Sequence, residues 1–285
     1  MSRFLLAIAL FFFIIFGLAE SALAWGPGVH LSLCNQILAR LDLLALPVSR
    51  VLDRFPLAYV YGCLSADFLV GKGKKLSADH CHSWKAAFRL LQNNPDPELR
   101  AYAFGYLSHL AADVLAHNYY VPNMLQLGRG RGRLSHVYIE LQADSKTDHC
   151  TRQLKQIVDN SWKAADLHLQ DVLRKSKFSF SLKKKLYRKG LALSRNNTCF
   201  QSLHLLDKHF PERSCDDYLQ DMQQLSRQAV LDCLNRKQES PVCKYDPMGF
   251  KHLGLIKKNG KPGSGLMTPE QSQMFFIPSM NLMSL

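Results

Sequence analysis

His109, Asp113 and His117 stand four and four residues apart in an apolar stretch. On an α-helix that spacing lines them along one slowly drifting stripe. His136 and Glu140, again four apart, repeat the arrangement on a neighbouring segment, so two helices can converge imidazole and carboxylate groups. Upstream lie Asp67, closing the run Tyr59-Val-Tyr-Gly-Cys-Leu-Ser-Ala-Asp67, and the cluster Asp79-His80-Cys81-His82, in which His80 and His82 are rivals for one role. Polar and ionised groups inside apolar helices are costly to bury alone, and coordination of a cation removes that cost. Imidazole and carboxylate suit zinc, and carboxylates able to bridge two ions suit a multinuclear site. A single histidine on an apolar helix is more often a core residue than a ligand; it is the joint occurrence that points to metal. His149, His168, His204, His209 and His252 lack such company, and no C-x2-C pair exists to support a zinc finger.

The start of the chain adds a ligand of a different kind. Arg3, the apolar run Phe4 to Leu18 and Ala22-Leu23-Ala24 have the order of a secretory signal with a small-residue cleavage site. The run is shorter than the ~20 residues a bilayer-spanning helix needs. Residues 1–24 are therefore expected to be removed and the protein exported, to the periplasm or beyond. Cleavage leaves Trp25 first, with a free α-amino group five residues before His30.

About 260 residues then remain, enough for one large domain. The charge of +13 at pH 7 stays with the mature part, because Arg3 and Glu20 cancel. Such an excess favours anionic partners without choosing among lipid head groups, phosphate esters and nucleic acid. The runs Lys72 to Lys75 and Lys183-Lys184-Lys185 with Arg188-Lys189 read most simply as solvated faces. The eight cysteines are an even set in a chain bound for an oxidising compartment, and some pairing is expected among Cys199, Cys215, Cys233 and Cys243.

The elements that must hold these groups are helical almost throughout, so the expected fold is all-α and a single multi-helix domain over 25–285. Helices are predicted over Val29 to Leu46, stopped by Pro47; Trp84 to Leu91; Pro97 to about Val121, stopped by Pro122; Leu134 to about His168 with interruptions; and Cys215 to Lys237. Breaker-rich loops fall at Gly71 to Lys75, Gly128 to Arg133 and Asn259 to Gly265. The chain from about residue 259 reads as an irregular tail.

The ordered set Trp25, His30, Asp67, His82, His109-x3-Asp113, His117 and His136-x3-Glu140 resembles the trinuclear zinc phospholipase C and P1-type nuclease superfamily. The local wording Trp-Gly-Pro-Gly-Val-His, Tyr-Gly-Cys, His-Cys-His-Ser-Trp and Gly-Tyr-Leu-Ser-His-Leu-Ala-Ala-Asp is most similar to the bacterial zinc-dependent phospholipase C branch, and the likeness spans residues 25 to about 140. The resemblance implies up to three Zn2+. Asp67, His82, His109 and Asp113 would hold one and His117, His136 and Glu140 a second. The third would be held by the amine and carbonyl of Trp25, by His30 and by Asp113 as a bridge. It implies hydrolysis of a phosphodiester, with Asp67 holding the nucleophile and a phospholipid or membrane surface as partner. Tyr119, Tyr120 and the arginines 129, 131 and 133 would lie beside the site. Two departures carry their own expectations. The short step from Trp25 to His30 is nuclease-like, which keeps single-stranded nucleic acid as an alternative substrate. His117 follows Asp113 on the same helix, which would displace the second zinc. A non-catalytic metal-binding relative is the remaining reading.

Overall fold

The computed structural model describes residues 25–69, 80–92, 94–127, 133–147, 151–194, 216–258, 276–279 and 282. The fold is all-α, and no strand occurs among the described residues. The signal segment, the Gly71 to Lys75 loop, residues 128–132, most of the tail and Cys150, Cys199 and Cys215 lie outside them. Cys233 and Cys243, within them, are thiols in hydrogen-bonding contact rather than a disulfide.

The centre is α5, Pro97–Leu115. Asp96 caps its start, accepting from Glu98 N at 2.8 Å, with Pro97 in the first turn, where its missing N–H costs nothing. From Ala101 to Leu115 every residue is buried, so α5 is enclosed on all sides. Before it come α1 (Pro27–Leu38), α2 (Leu46–Arg54), α3 (Pro56–Ser65) with a 3-10 turn at Ala66–Leu69, and α4 (Trp84–Leu91). After it come α6 (Val121–Leu127), α7 (Arg133–Ser145), α8 (Thr151–Asp159), α9 (Lys163–Val172), α10 (Lys177–Ser194), α11 (Asp216–Arg236) and α12 (Phe250–Lys258). Helices α3, α4 and α11 pack directly on α5. One apolar core runs from Trp25 through Leu110 and Val230 to Leu282.

The approach of α3 to α5 sets the site. A Cβ on Gly62 would fall 1.9 Å from the Tyr102 carbonyl oxygen, and one on Gly105 1.8 Å from that of Tyr59. The two glycines face each other where the backbones touch, and no other residue fits there. This crossing brings the end of α3, with Asp67 on the turn beyond it, to the level of His109 and Asp113.

Both proline stops act differently from expectation. Pro47 lies in the first turn of α2 and starts it; the preceding helix ends at Leu38, followed by a 3-10 turn at Leu41–Leu43. Pro122 sits in the first turn of α6, because a π-helical turn over Ala116–Tyr120 separates α6 from α5. Helices α3 and α10, read from the sequence as a short segment and a charge run, are full helices. The described part of the tail is packed at Phe276 and Leu282 and exposed at Ile277. Asn123 exchanges two hydrogen bonds with Phe276, and Leu282 is buried.

Candidate metal centre

Four elements deliver buried polar groups to one point. Asp67 comes from the turn after α3, His82 from the segment entering α4, His109 and Asp113 from successive turns of α5, and His30 from α1. The Nε2 of His109 lies 3.1 Å from one Asp113 oxygen and 3.5 Å from Asp67 Oδ1. His82 Nε2 is 3.3 Å from Asp113, 3.4 Å from Asp67 and 3.1 Å from His109 Nε2. His30 Nε2 meets the other Asp113 oxygen at 3.2 Å, and its ring stacks on His109 at 4.0 Å. Asp113 therefore faces the three histidines through both oxygens. Of the two rivals upstream, His82 is the one brought to this point. His80 lies outside it, its Nδ1 accepting from the His82 backbone N–H at 3.0 Å.

A second group adjoins the first. His136 Nε2 lies 2.8 Å from Glu140 Oε1 on α7, and the His117 ring stands 5.7 Å from that of His136 at a steep angle. The three offer ligand atoms within 4.8 Å of one another. The π turn is the local reason His117 reaches this group, since its widened turn re-aims the residues that follow Leu115. His117 Nδ1 lies 2.7 Å from the Pro247 carbonyl oxygen. A carbonyl only accepts, so Nδ1 carries the proton and Nε2 keeps its lone pair. Gly249, at φ +57°, permits that loop to approach, as a Cβ there would fall 2.2 Å from the His117 carbonyl oxygen.

The segment from Trp25 to Val29 is held against the same helix. Asp144, one turn beyond Glu140, accepts from Gly28 N at 3.0 Å and Val29 N at 2.8 Å and so caps α1 from another element. The Trp25 indole is buried, donates to Ser226 Oγ at 3.2 Å and lies 4.8 Å from the Tyr120 ring. Tyr120 also stacks on Tyr218, and Tyr119 packs against His252, so this aromatic pair serves packing. Arginines 129 and 131 lie outside the described residues, as does the side chain of Arg133.

The chemistry of the donor set fits a cation. His30 Nε2, Asp67 Oδ1, both oxygens of Asp113 and Glu140 Oε1 are buried and face imidazole nitrogens or carboxylate oxygens at 2.8–3.5 Å, a crowding of polar atoms that a cation between them would relieve. Burial, reinforced by Asp67, Asp113 and Asp144, pushes the Glu140 carboxyl well above its usual range. Burial alone would also raise Asp113, but His109, His30 and His82 hold it well below. His109 is pushed down by burial despite its carboxylate neighbours Asp113 and Asp67. For His82 burial is outweighed by Cys81, Asp113 and Asp67, which raise it well above the ordinary value. Cys63 Sγ lies 3.8 Å from His30 Nδ1. Burial, Cys34 and the nearby carboxylates push that thiol up, and Cys63, His30 and His109 offer ligand atoms within 4.8 Å of one another.

Two neighbours have no counterpart in the sequence reading. Asp144 continues the four-residue stride of His136 and Glu140, a signal that spacing could have shown. Tyr187 on α10 is buried with an unpartnered hydroxyl, its ring 4.8 Å from that of Phe68, the residue after Asp67. Burial and the charges of Asp67 and Asp144 push its phenol up. No motif marks it.

Residues 29–183 match a family described as zinc dependent phospholipase C, a span that begins just after Trp25 and contains every other candidate ligand. No curated protein and no solved structure is significantly similar to the chain.

Proposed function

The chain belongs to the zinc-dependent phospholipase C family, and from that membership we propose that it is an exported hydrolase cleaving the phosphodiester of a phospholipid on the glycerol side, through three zinc ions. The observation that carries the reading is the meeting of His30, Asp67, His82, His109 and Asp113 at one buried point, beside His117, His136 and Glu140, with buried carboxylate oxygens turned towards imidazole nitrogens.

In this reading Asp67, His82, His109 and Asp113 would hold one zinc, and His117, His136 and Glu140 a second. Asp113, His30 and the amine and carbonyl of a freed Trp25 would hold the third. Zinc at these positions lowers the pKa of water and offsets the negative charge that grows on phosphate oxygens during attack. The chain's own residues do the rest. Asp67, whose Oδ1 faces His82 and His109, would orient the attacking water. His117 keeps one tautomer through Pro247. Asp144 seats the start of α1, and with it Trp25 and His30, against α7. Removal of residues 1–24 completes the ligand set by freeing the Trp25 amine.

The five-residue step from Trp25 to His30 supports a second reading, hydrolysis of single-stranded nucleic acid. Parallel assays of protein beginning at Trp25, against phosphatidylcholine and single-stranded DNA, separate the two. Release of diacylglycerol is expected; cleavage of DNA alone would overturn the lipid assignment.

A further inference from the structure

The lysine run read as a solvated face belongs to a helix with an unusual outer surface. Between Val172 and Leu206 the chain contains no acidic residue. On the exposed side of this stretch stand Arg174, Lys175, Lys177, Lys185 and Lys189. Among them two apolar side chains project one turn apart, Phe178 at 81% exposure and Leu182 at 48%. Phe178, Leu182, Lys185 and Lys189 follow at intervals of four, three and four, which is one stripe of α10.

The opposite face is bolted to the protein. Phe180 and Tyr187 are buried, and Tyr187 rests on Phe68 beside Asp67. Lys184 donates to Asp166 and to the Tyr61 hydroxyl, each at 2.7 Å, and its Nζ lies 5.8 Å from the Phe68 ring centre. Helix α10 thus packs on the turn that carries Asp67.

We propose that the outer face of α10 seats the protein on an anionic lipid bilayer, Phe178 and Leu182 entering the boundary between head groups and acyl chains while the flanking lysines and arginines contact head-group phosphates. A basic helix with a short apolar stripe is the form that lies in a membrane interface. Charge decides against a second copy of the chain, because two such faces repel. Leu182 decides against nucleic acid, since an aliphatic side chain gains from acyl chains and gains nothing from a phosphate backbone. The inference rests on the phospholipase reading for its purpose, which is to hold the site at its substrate's surface.

The test uses chain beginning at Trp25, sedimented with vesicles of phosphatidylglycerol and phosphatidylcholine or of phosphatidylcholine alone. Hydrolysis of a monomeric short-chain phosphatidylcholine is followed in parallel. Binding to the anionic vesicles is expected, weakening with salt. It should fall roughly tenfold or more in Phe178→Ser/Leu182→Ser and in Lys185→Gln/Lys189→Gln, with monomer hydrolysis unchanged because these side chains face solvent. Monomer hydrolysis without vesicle binding would overturn the docking surface and leave the phospholipase reading intact. Vesicle binding that both double variants retain in full would overturn it too. Vesicle binding lost in the variants, with neither lipid hydrolysed, would support the surface and sink the phospholipase reading.

Discussion

Asp113 is the residue on which the account turns, because its two oxygens face different histidines, His30 on one side and His82 and His109 on the other. Asp144 acts one shell further out. Asp144→Ala removes the cap of α1 and is expected to cost about 1–2 kcal/mol, a fall of a few degrees in Tm that calorimetry would read. It should also loosen metal at the Trp25 and His30 end, on the order of the 10–100-fold typical of outer-shell changes. Glu140 gives a pH test in chelated protein. Its folded pKa is raised, so the wild type is penalised increasingly as pH rises above the unfolded carboxyl value of about 4.3. Glu140→Gln stays neutral. Metal-free Glu140→Gln is therefore expected to melt above the wild type at pH 8, with the gap narrowing towards pH 5; a gap constant with pH would contradict the buried-carboxylate account. At this scale the sequence was most readable, since ligand pairs four apart on a helix are a one-dimensional signal. Asp144 was legible in the same stride but bonds to residues more than a hundred positions away, and nothing in one dimension announces that. Tyr187 carries a role only through what surrounds it.

Among the elements, the crossing of α3 and α5 is the device that brings Asp67 to His109. Gly105→Ala places a methyl group inside the Tyr59 carbonyl. It is expected to cost about 3 kcal/mol or more and to lower zinc content with it, whereas Gly254→Ala, with open space around the position, should do neither. Helix types were legible from apolar periodicity, as Trp84 to Leu91 and Cys215 to Lys237 illustrate. Both prolines misled because a proline suits the first turn of a helix as well as the end of one. Pro47 opens α2, and the π turn ahead of Pro122 moves it into a first turn. That same π turn is how His117, only four residues after Asp113, reaches His136 and Glu140 on α7. Helix α10 was hidden by its charge, which reads as solvated surface, while its inner face is held by Lys184 and Asp166, eighteen residues apart.

For the molecule as a whole, an all-α body encloses α5 so completely that Ser108, His109 and Asp113 are buried, and the excess of positive charge lies partly on one helix packed beside the site. Export, cleavage and metal assembly are linked if Trp25 is a ligand. A version with one extra methionine before Trp25 is expected to bind less zinc than the mature chain; equal binding would remove the amine from the ligand set. The most direct test of the central claim is elemental analysis of zinc in protein beginning at Trp25, beside its Asp113→Asn variant. The account predicts about three ions per chain, falling by about two in the variant because Asp113 would serve two of them. Zinc content undiminished in Asp113→Asn, or no zinc in the mature chain after reconstitution, would contradict it.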